Sequence, residues 1–207
     1  MKKLISRATI DRLPLYYRTL RLAEEENTEI ISSDELGRRL DITPEQIRKD
    51  LATFGQFGKK GIGYDVRELK ERISNILGLQ NNWRLAIVGV GHLGGALANY
   101  VNFAPMGFSV VALLDNSKKI IGKKINGLEV HAASKLAEII AKCEVDIGVI
   151  TVPASEAQGV ADLLVAAGIK GIWNFAPIKL NVPPEVPLVN EDLSVGLSAL
   201  SYHMSQE

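Results

Sequence analysis

The 207-residue sequence predicts an α/β protein built from two domains and a short C-terminal helix. Two observations carry this prediction. Before residue 80, charged residues are dense and helix-capping patterns recur, whereas after it short β-branched runs alternate with stretches rich in glycine and alanine. Strands that alternate with helices of this length are typical of a parallel, doubly wound sheet. We therefore expect domains over residues 1–80 and 81–190, followed by a helical segment over residues 191–207.

The composition is that of an ordinary globular chain. Hydrophobic residues make up 46% and charged residues 23%, and 24 basic residues balance 24 acidic ones, which argues against disorder and against a uniformly basic nucleic-acid coat. The one cysteine, Cys143, excludes an internal disulfide and a cysteine-rich zinc site. Together with the absence of a signal peptide, it favours a reducing, cytoplasmic location. No apolar run approaches the ~20 residues that span a bilayer, so no membrane partner is expected.

Two capping patterns predict a helix-turn-helix in the first domain. Ser32 precedes Glu35 by three residues, and Thr43 precedes Gln46 by three residues, which is the spacing of the capping box. The two short helices that follow these caps are separated by a three-residue turn, as in the helix-turn-helix motif. The glycine-rich segment 57–64 comes next and is predicted to form a β-hairpin wing. The first domain is therefore predicted to be a winged helix-turn-helix.

Basic residues on this predicted motif indicate binding to double-stranded DNA. The second helix of a helix-turn-helix enters the major groove, and a basic wing reaches the minor groove or the backbone. A longer first helix, expected to begin at Thr9, extends the basic surface. Any one of these charges alone is more simply a solvated surface residue, but the capped turn, the basic helix and the basic wing together favour DNA. The candidate DNA contacts are Arg12, Arg18, Thr43, Gln46, Arg48, Lys49, Phe57, Lys59, Lys60 and Gly61.

The strongest chemical signal is the loop Gly89-x-Gly91-x-x-Gly94. It follows a predicted strand, opens a helix, and precedes Asp115, which lies 21 residues after Gly94 at the end of a second strand. These are the requirements of a dinucleotide-binding Rossmann motif, in which the glycines allow a tight turn and the close approach of a pyrophosphate. The carboxylate of Asp115 can accept hydrogen bonds from ribose hydroxyls and would repel a 2′-phosphate. The motif therefore favours NAD(H) over NADP(H), although Lys118 close by weakens that preference.

No pattern in the sequence predicts catalysis or a metal site. His131 and His203 each lack a neighbouring acid, and the sheet pattern occupies residues 84–190, which leaves no room for a substrate domain. We therefore expect a protein that is not an enzyme, with no catalytic residues and no metal ligands. Two alternatives stay open: a small NAD-dependent oxidoreductase, and a coenzyme-A-binding module, because the same sheet and loop can hold an adenosine diphosphate moiety.

The C-terminal segment 191–207 is apolar on more than one face. It can pack on its own sheet or insert into a partner subunit. The second interpretation is favoured, because helix-turn-helix proteins bind two half-sites as dimers. We therefore expect a homodimer.

Six ordered segments carry a resemblance to a known family: RLPLYYR at 12–18, QIRKD at 46–50, FGQFGKKGIGY at 54–64, GVGHLG at 89–94, TVPA at 151–154 and GIKGIWNFAP at 168–177. Over essentially its whole length the chain resembles the Rex family of redox-sensing transcriptional repressors. The resemblance implies a homodimer with an N-terminal winged helix, a C-terminal Rossmann domain and a domain-swapped final helix. It also implies binding to an inverted-repeat operator when NADH is scarce, and release when NADH binds.

The resemblance also assigns residues to a cofactor site. It implies that the glycine loop contacts the pyrophosphate of NAD(H) and that Asp115 contacts the adenosine ribose. It also implies that residues 151–153 and 174–177 form the nicotinamide pocket. Tyr100, Arg18 and Asp192 resemble a polar set that rearranges between the two states. The sequence departs from the family at Leu193, where some members carry an aromatic residue, and at His92, where Arg or Asn is common. The full candidate set is Gly89, Val90, Gly91, His92, Leu93, Gly94, Tyr100, Asp115, Lys118, Thr151, Val152, Pro153, Asn174, Phe175, Ala176 and Pro177.

Overall fold

A computed structural model describes residues 5–58 and 61–205, which form two compact units that divide between Asn81 and Asn82. The first unit is mostly helical and carries a small two-stranded sheet. The second unit is a seven-stranded sheet with helices. The mixed α/β class is the one that the sequence predicts.

The helices of the first unit follow the predicted order. Ser32 and Thr43 cap two of them, since their side-chain oxygens accept hydrogen bonds from the backbone N–H groups of Glu35 and Gln46. Asp41, in the turn between these two helices, adopts the left-handed conformation at φ 55°. The helices are α1 (Arg7–Glu25), α2 (Ser33–Leu40), α3 (Pro44–Ala52) and α4 (Val66–Leu77), with one 3-10 turn at Leu79–Asn81.

The start of α1 differs from the expectation. Ser6, not Thr9, is the capping residue, and its side-chain oxygen accepts a hydrogen bond from the N–H of Thr9 at 3.1 Å. The hydroxyl of Thr9 instead donates to a carboxylate oxygen of Asp50 at 3.1 Å. Thr9 therefore lies inside the helix, where its side chain serves a tertiary contact.

The predicted hairpin over residues 57–64 stays a prediction, because the two residues at its centre are not among those that the structure describes. Within its described part, Gly63 is in a β-bridge and Tyr64 is in a strand. That strand pairs with a distant segment: β1 (Ile30–Ile31) runs antiparallel to β2 (Tyr64–Asp65). Gly58, Gly61 and Gly63 have φ values of 70°, 82° and 110°, which glycine adopts more readily than other residues. Lys59 and Lys60, at the predicted tip of the wing, lie outside the described residues.

The core of the first unit surrounds one buried carboxylate. Asp50 on α3 is 1% exposed and lies between the buried side chains of Ile47 and Leu51 and the buried face of α1. Arg12 forms a forked pair with it, donating from Nε at 2.6 Å and from Nη2 at 2.8 Å. Tyr16 donates from its hydroxyl at 2.6 Å. The carboxylate therefore ties α1 to α3.

These contacts lower the pKa of Asp50. Burial by itself raises that pKa, but hydrogen bonds from Arg12, Tyr16 and Gln46, together with the positive charge of Arg12, outweigh burial and lower it from 3.8 to about 2. The same interactions raise the pKa of Arg12, where the hydrogen bond to Asp50 is the largest cause. Asp50 is therefore ionised throughout the physiological range.

The second unit contains a sheet in the order β5-β6-β4-β3-β7-β8-β9. All neighbouring pairs are parallel except β5 and β6, which are antiparallel. The strands are β3 (Trp83–Val88), β4 (Phe108–Asp115), β5 (Lys124–Ile125), β6 (Leu128–Ala132), β7 (Ile147–Ile150), β8 (Gly171–Asn174) and β9 (Leu188–Asn190). The six parallel strands follow the doubly wound order of the Rossmann fold, in which the order of successive strands reverses between β3 and β7.

Helices and 3-10 turns connect the strands. The longer segments are α5 (His92–Ala98), α6 (Leu136–Lys142), α7 (Ala154–Ala166) and α8 (Leu193–Met204), and the 3-10 turns are Ala104–Met106 and Ala133–Lys135. The β5–β6 hairpin was not predicted, although its turn at Asn126 and Gly127, with φ values of 48° and 78°, is a recognisable Asn-Gly signal.

The final helix α8 leaves its apolar side chains uncovered within the chain. Leu193, Val195, Leu197, Leu200, Tyr202 and Met204 are all exposed. None of the helices in residues 5–58 and 61–205 has the length and apolar character needed to cross a bilayer. An apolar surface of this extent is typical of a protein–protein contact.

We expect the Asp50→Asn variant to lose acid sensitivity together with stability. Because its pKa is depressed when folded, Asp50 contributes about 2 kcal/mol that is complete above its unfolded pKa and is lost as the pH falls towards 2. Urea unfolding followed from about pH 5 to about pH 2 should therefore show a shallower loss in Asp50→Asn than in wild type. The control is Asp11→Asn, which removes an exposed carboxylate from α1. Equal acid dependence of Asp50→Asn and wild type would contradict the assignment.

Candidate functional site

The residues of the predicted dinucleotide site meet at one edge of the sheet. Val88 on β3 pairs with Leu114 on β4 and with Ile150 on β7. Ile150 pairs in turn with Asn174 on β8. Because these strands are parallel, the segments that follow them emerge side by side. The glycine loop, Asp115, Thr151–Pro153 and Phe175–Pro177 are therefore brought together at the switch point, where ligands bind in such sheets.

Two glycines of the loop are required by the protein itself. Gly89 has φ +95°, and a β-carbon there would lie 2.7 Å from Cγ1 of Val152 and 2.8 Å from the carbonyl oxygen of Thr151. A β-carbon at Gly94 would collide with the carbonyl oxygen of Gly89 and lie 2.8 Å from Oγ1 of Thr151. Helix α5 can pack this closely on the sheet only because neither residue has a side chain.

The third glycine of the loop has a different environment. A β-carbon at Gly91 would meet no atom within 4 Å, and Gly91 is exposed. Its φ of −74° is accessible to any residue, so the backbone does not require glycine. Gly91 is also the cap position of α5 and supplies no side-chain cap to the first N–H groups of that helix. The loop therefore leaves space and free donors where a phosphate would approach.

Asp115 holds the loop in this shape. Its Oδ2 accepts a hydrogen bond from the N–H of Val90 at 2.6 Å, and its Oδ1 accepts one from the N–H of Ser117 at 2.7 Å. A carboxylate offers about four acceptor positions, so both oxygens can still accept from ribose hydroxyls. The geometry gives Asp115 a positioning role in addition to the predicted ribose contact.

Thr151 closes the other side of the loop. Its hydroxyl lies 2.6 Å from the carbonyl oxygen of Gly89 and 3.1 Å from that of Val88, and it is the donor to both. Val152 is half-buried beside this loop and Pro153 is exposed. The end of β7 is therefore fastened to the glycine loop by a side chain that was predicted only as a pocket residue.

Asn174 is a structural brace in this geometry. It is 0% exposed, and its amide nitrogen donates to the carbonyl oxygens of Ala176 and Ile178 and to Oδ1 of Asn190. Its amide oxygen accepts from the N–H of Ala176 at 3.0 Å. Both ends of the side chain are thus used within the protein, where Asn174 shapes the 175–178 loop. Ala176 is buried as well.

The remaining predicted cofactor residues are more accessible. Phe175 is half-buried and packs on Trp173 with ring centroids 4.5 Å apart. Tyr100 is 51% exposed and packs edge-on against Phe103, which in turn contacts Trp173. An aromatic row therefore joins the predicted nicotinamide pocket to an exposed tyrosine. His92, Lys118 and Pro177 are exposed, Val90 is buried and Leu93 is half-buried.

The predicted DNA-binding residues on α3 divide by their partners. Lys49 is exposed, and Arg48 is exposed but donates from Nη1 to Oγ of Ser33 at 2.7 Å, which directs its guanidinium towards the start of α2. Thr43 is occupied as the cap of α3, and the Gln46 amide nitrogen donates to Asp50 at 2.8 Å. Of these four residues, Arg48 and Lys49 are the two that carry a positive charge, and both are exposed.

The segment before β2 lines an open groove of about 620 Å³ together with the start of α2 and the end of α3. Phe57 and Gly61 lie along it, and Arg48 forms part of its wall. The guanidinium of Arg72 covers the ring of Phe57 at 5.4 Å from its centroid. On α1, Arg18 is exposed, so this unit presents cationic groups on several elements.

The geometry gives Arg12 a partner that the sequence did not predict. Its side chain is 24% exposed and its guanidinium is paired with Asp50. The sequence alone predicted no role for Asp50. A signal was present, because Asp50 lies three residues after Ile47 and one before Leu51 and therefore on the inward face of α3. A charge at such a position needs a buried partner.

Metal binding has no support in the described residues: in 5–58 and 61–205 no cluster of three or more His, Cys, Asp or Glu side chains could hold an ion.

Two family models match the sequence. The first is described as "Putative DNA-binding protein N-terminus" and matches residues 4–52. The second is described as a CoA binding domain and matches residues 80–178. The two matches fall on the two units of the structure.

Solved structures with similar chains contain NAD+ together with operator DNA, or NADH. The chain of RSP in complex with β-NAD+ and operator DNA has a TM-score of 0.92 and 42% identity, covering 99% of this chain and 94% of that one. The chain of RSP in complex with β-NADH has a TM-score of 0.89 and 40% identity, covering 99% and 96%. RSP is described as a Rex-family repressor.

Relatives in sequence carry the same description. The redox-sensing transcriptional repressor Rex of Syntrophobacter fumaroxidans is 46% identical over 202 residues, which are 97% of this chain and 96% of that protein. The repressor of the same name from Clostridium botulinum is 48% identical over 200 residues, which are 97% and 95%. With a helix-turn-helix in one unit, a glycine loop at the switch point of the other and this similarity along the whole length, the chain belongs to the Rex family of redox-sensing transcriptional repressors.

Proposed function

We propose that this chain forms a homodimer that represses transcription by binding an inverted-repeat operator, and that NADH releases the dimer from DNA. The observation that carries the proposal is the joining, in one chain, of a capped helix-turn-helix with a glycine loop that is open at Gly91. The relatives crystallised with NAD+ and operator DNA or with NADH support it. We assign this regulator of DNA and NAD(H) binding to the cytoplasm.

The cofactor assignment follows from the edge of the sheet. The pyrophosphate is assigned to the space at Gly91 and the first N–H groups of α5, and the adenosine ribose to Asp115. The nicotinamide is assigned to the accessible surfaces of Val152 and Phe175. NAD+ and NADH differ by one charge at the nicotinamide ring, so discrimination must arise at this apolar end, which favours the uncharged reduced ring.

Release from DNA is assigned to a population shift between two arrangements of the dimer. NADH must bind the DNA-incompetent arrangement more tightly, since a ligand with equal affinity for both would shift nothing. A coupling of ~3 kcal/mol between the two sites corresponds to a change of roughly 150-fold in operator affinity. No turnover of the cofactor is needed, which separates this function from that of an oxidoreductase.

The DNA-binding surface is assigned to exposed cationic groups of the first unit. Arg18, Arg48 and Lys49 are exposed in the structure, and Lys59 and Lys60 are assigned from the sequence alone. Helix α8 is assigned to the dimer interface as a swapped element, because its leucines have no cover within the chain.

The operator and the effector can be tested together. Fragmented source DNA is passed over the purified protein at fixed salt with NAD+ or with NADH, because affinity for DNA depends steeply on salt. We expect retention of fragments that share an inverted repeat, and loss of retention with NADH. Equal retention under both conditions would contradict NADH as the effector. Absence of retention in both would contradict the repressor function.

Coenzyme A is the second candidate ligand, because the family model over residues 80–178 carries that description. A competition experiment separates the two ligands: bound NADH is followed by its fluorescence while coenzyme A is added. We expect no displacement of bound NADH even by a large excess of coenzyme A. Displacement by coenzyme A with no effect of NADH on DNA would favour the second candidate.

The glycine loop gives a sharper test of the cofactor site. Gly91→Val places its side chain in open space, so it should leave thermal unfolding and operator binding near wild type while reducing NADH affinity by at least ~100-fold through lost pyrophosphate contacts. Gly94→Ala should instead lower the unfolding temperature, because its β-carbon collides with the loop. Gly159→Ala, which also enters open space but on α7, is the control. Wild-type NADH release by Gly91→Val would contradict the site.

The dimer assignment can be tested on α8. Leu197→Glu puts a charge in the middle of the apolar helix surface, so we expect a monomer in analytical ultracentrifugation and loss of operator binding. Ser205→Glu adds the same charge after the end of the helix and should remain dimeric. A dimeric Leu197→Glu variant would contradict a role for this helix in the interface.

A further inference from the structure

We propose that Arg12 and Asp50 form a latch that positions the recognition helix α3 for operator reading, so that Arg12 acts on DNA specificity without touching DNA. This inference rests on the proposed DNA-binding function. It differs from the sequence prediction, in which Arg12 contributes a free positive charge to the DNA surface.

The latch joins one face of α1 to one carboxylate of α3. Thr9, Arg12 and Tyr16 are spaced three and four residues apart, so they project from the same side of α1. Oδ1 of Asp50 accepts from Thr9 at 3.1 Å and from Nη2 of Arg12 at 2.8 Å. Oδ2 accepts from Nε of Arg12 and from the Tyr16 hydroxyl, each at 2.6 Å. Three side chains of α1 therefore fix the carboxylate through four hydrogen bonds.

Forked geometry makes this pair directional. A guanidinium that donates through Nε and Nη2 to both oxygens of a carboxylate defines a common plane, so it restricts rotation of α3 about its own axis as well as its distance from α1. Tyr16 is 0% exposed and Asp50 is 1% exposed. The ion pair between Arg12 and Asp50 is therefore shielded from water on the side of Asp50. Loss of one partner would leave a buried charge and allow α3 to move.

The latch extends to a residue that is predicted to contact DNA. Gln46 lies one turn before Asp50 on α3 and donates its amide nitrogen to Oδ1 at 2.8 Å. A carboxylate can only accept, so the nitrogen of the amide must face Asp50 and its oxygen must face away. Asp50 thus sets the orientation of the Gln46 amide, and an outward oxygen can accept only from a base amino group, which adenine and cytosine carry in the major groove.

Pairing also removes the charge of Arg12 from the electrostatics of DNA binding. The guanidinium and the carboxylate together carry no net charge, so Arg12 releases no counterion when DNA binds. A phosphate contact and a latch therefore have different signatures. Loss of a phosphate contact lowers the salt slope by about one and weakens all sequences alike, whereas loss of the latch lowers discrimination and leaves the slope unchanged.

The test compares Arg12→Gln, Tyr16→Phe and Lys49→Gln. Affinity is measured by fluorescence anisotropy for a duplex carrying the selected inverted repeat and for a scrambled duplex, over a series of salt concentrations. Lys49 is exposed on the same helix and is the reference for a direct DNA contact. Tyr16 cannot touch DNA because it is fully buried, so any change in Tyr16→Phe acts through the latch.

We expect Arg12→Gln to reduce the preference for the inverted repeat about tenfold with an unchanged salt slope, and Tyr16→Phe to reduce it in the same direction by a smaller factor. Lys49→Gln should reduce the slope by about one. A reduced slope with full discrimination in Arg12→Gln would overturn the proposal. So would wild-type discrimination in a folded Tyr16→Phe variant.

Folding and function are kept apart by two controls. NADH binding and far-ultraviolet circular dichroism report whether each variant is folded, and if Arg12→Gln does not fold, Tyr16→Phe carries the test. The wild-type chain reports on the proposed function itself. Failure of wild type to prefer any inverted repeat refutes the DNA-binding function, whereas wild-type preference with unaffected variants refutes the latch alone.

Discussion

Asp50 and Asn174 are buried polar side chains, and a buried polar side chain must find its partners inside the protein. This constraint shapes both candidate sites. Asp50 takes donors from two helices and thereby sets the position of the helix predicted to enter the major groove. Asn174 uses both ends of its amide to hold the loop that follows β8, beside the predicted nicotinamide pocket. Asp146, before β7 at the opposite edge of the sheet, also has its partners inside the protein: its carboxylate accepts hydrogen bonds from the N–H of Arg84 and from the ammonium group of Lys170.

The glycine loop obeys a second constraint, which is the space available between a helix and a sheet. Two of its glycines are fixed by contacts with the end of β7, and the third faces open space. A single motif therefore contains residues with separate purposes: Gly89 and Gly94 let α5 pack on the sheet, and Gly91 leaves room for a ligand. Asp115 belongs to both groups, since it anchors the loop and keeps acceptor capacity for a ribose.

The comparison with the sequence shows where local patterns suffice. The caps at Ser32 and Thr43 were predicted correctly because a capping box depends on four consecutive residues. The order of strands and helices in the second unit followed from alternation along the chain. The wing hairpin stays a prediction because Lys59 and Lys60 lie outside the described residues, whereas the pairing of Tyr64 with Ile31, a residue more than thirty positions away, was not predicted. The β5–β6 hairpin was not predicted, although an Asn-Gly dipeptide such as Asn126-Gly127 is typical of a two-residue hairpin turn.

The sequence by itself determined the fold class, the position of the dinucleotide loop and the family, because each depends on periodicity or on short ordered motifs. Only the tertiary structure decided what several individual side chains do. Arg12 has a basic side chain on a basic helix, and nothing local distinguishes it from Arg18; its partner lies 38 positions away on another helix. Gly91 and Gly94 look alike in the motif, but one faces open space and the other faces a carbonyl oxygen. These roles depend on contacts between segments that are distant in the chain, and such contacts exist only once the chain has folded.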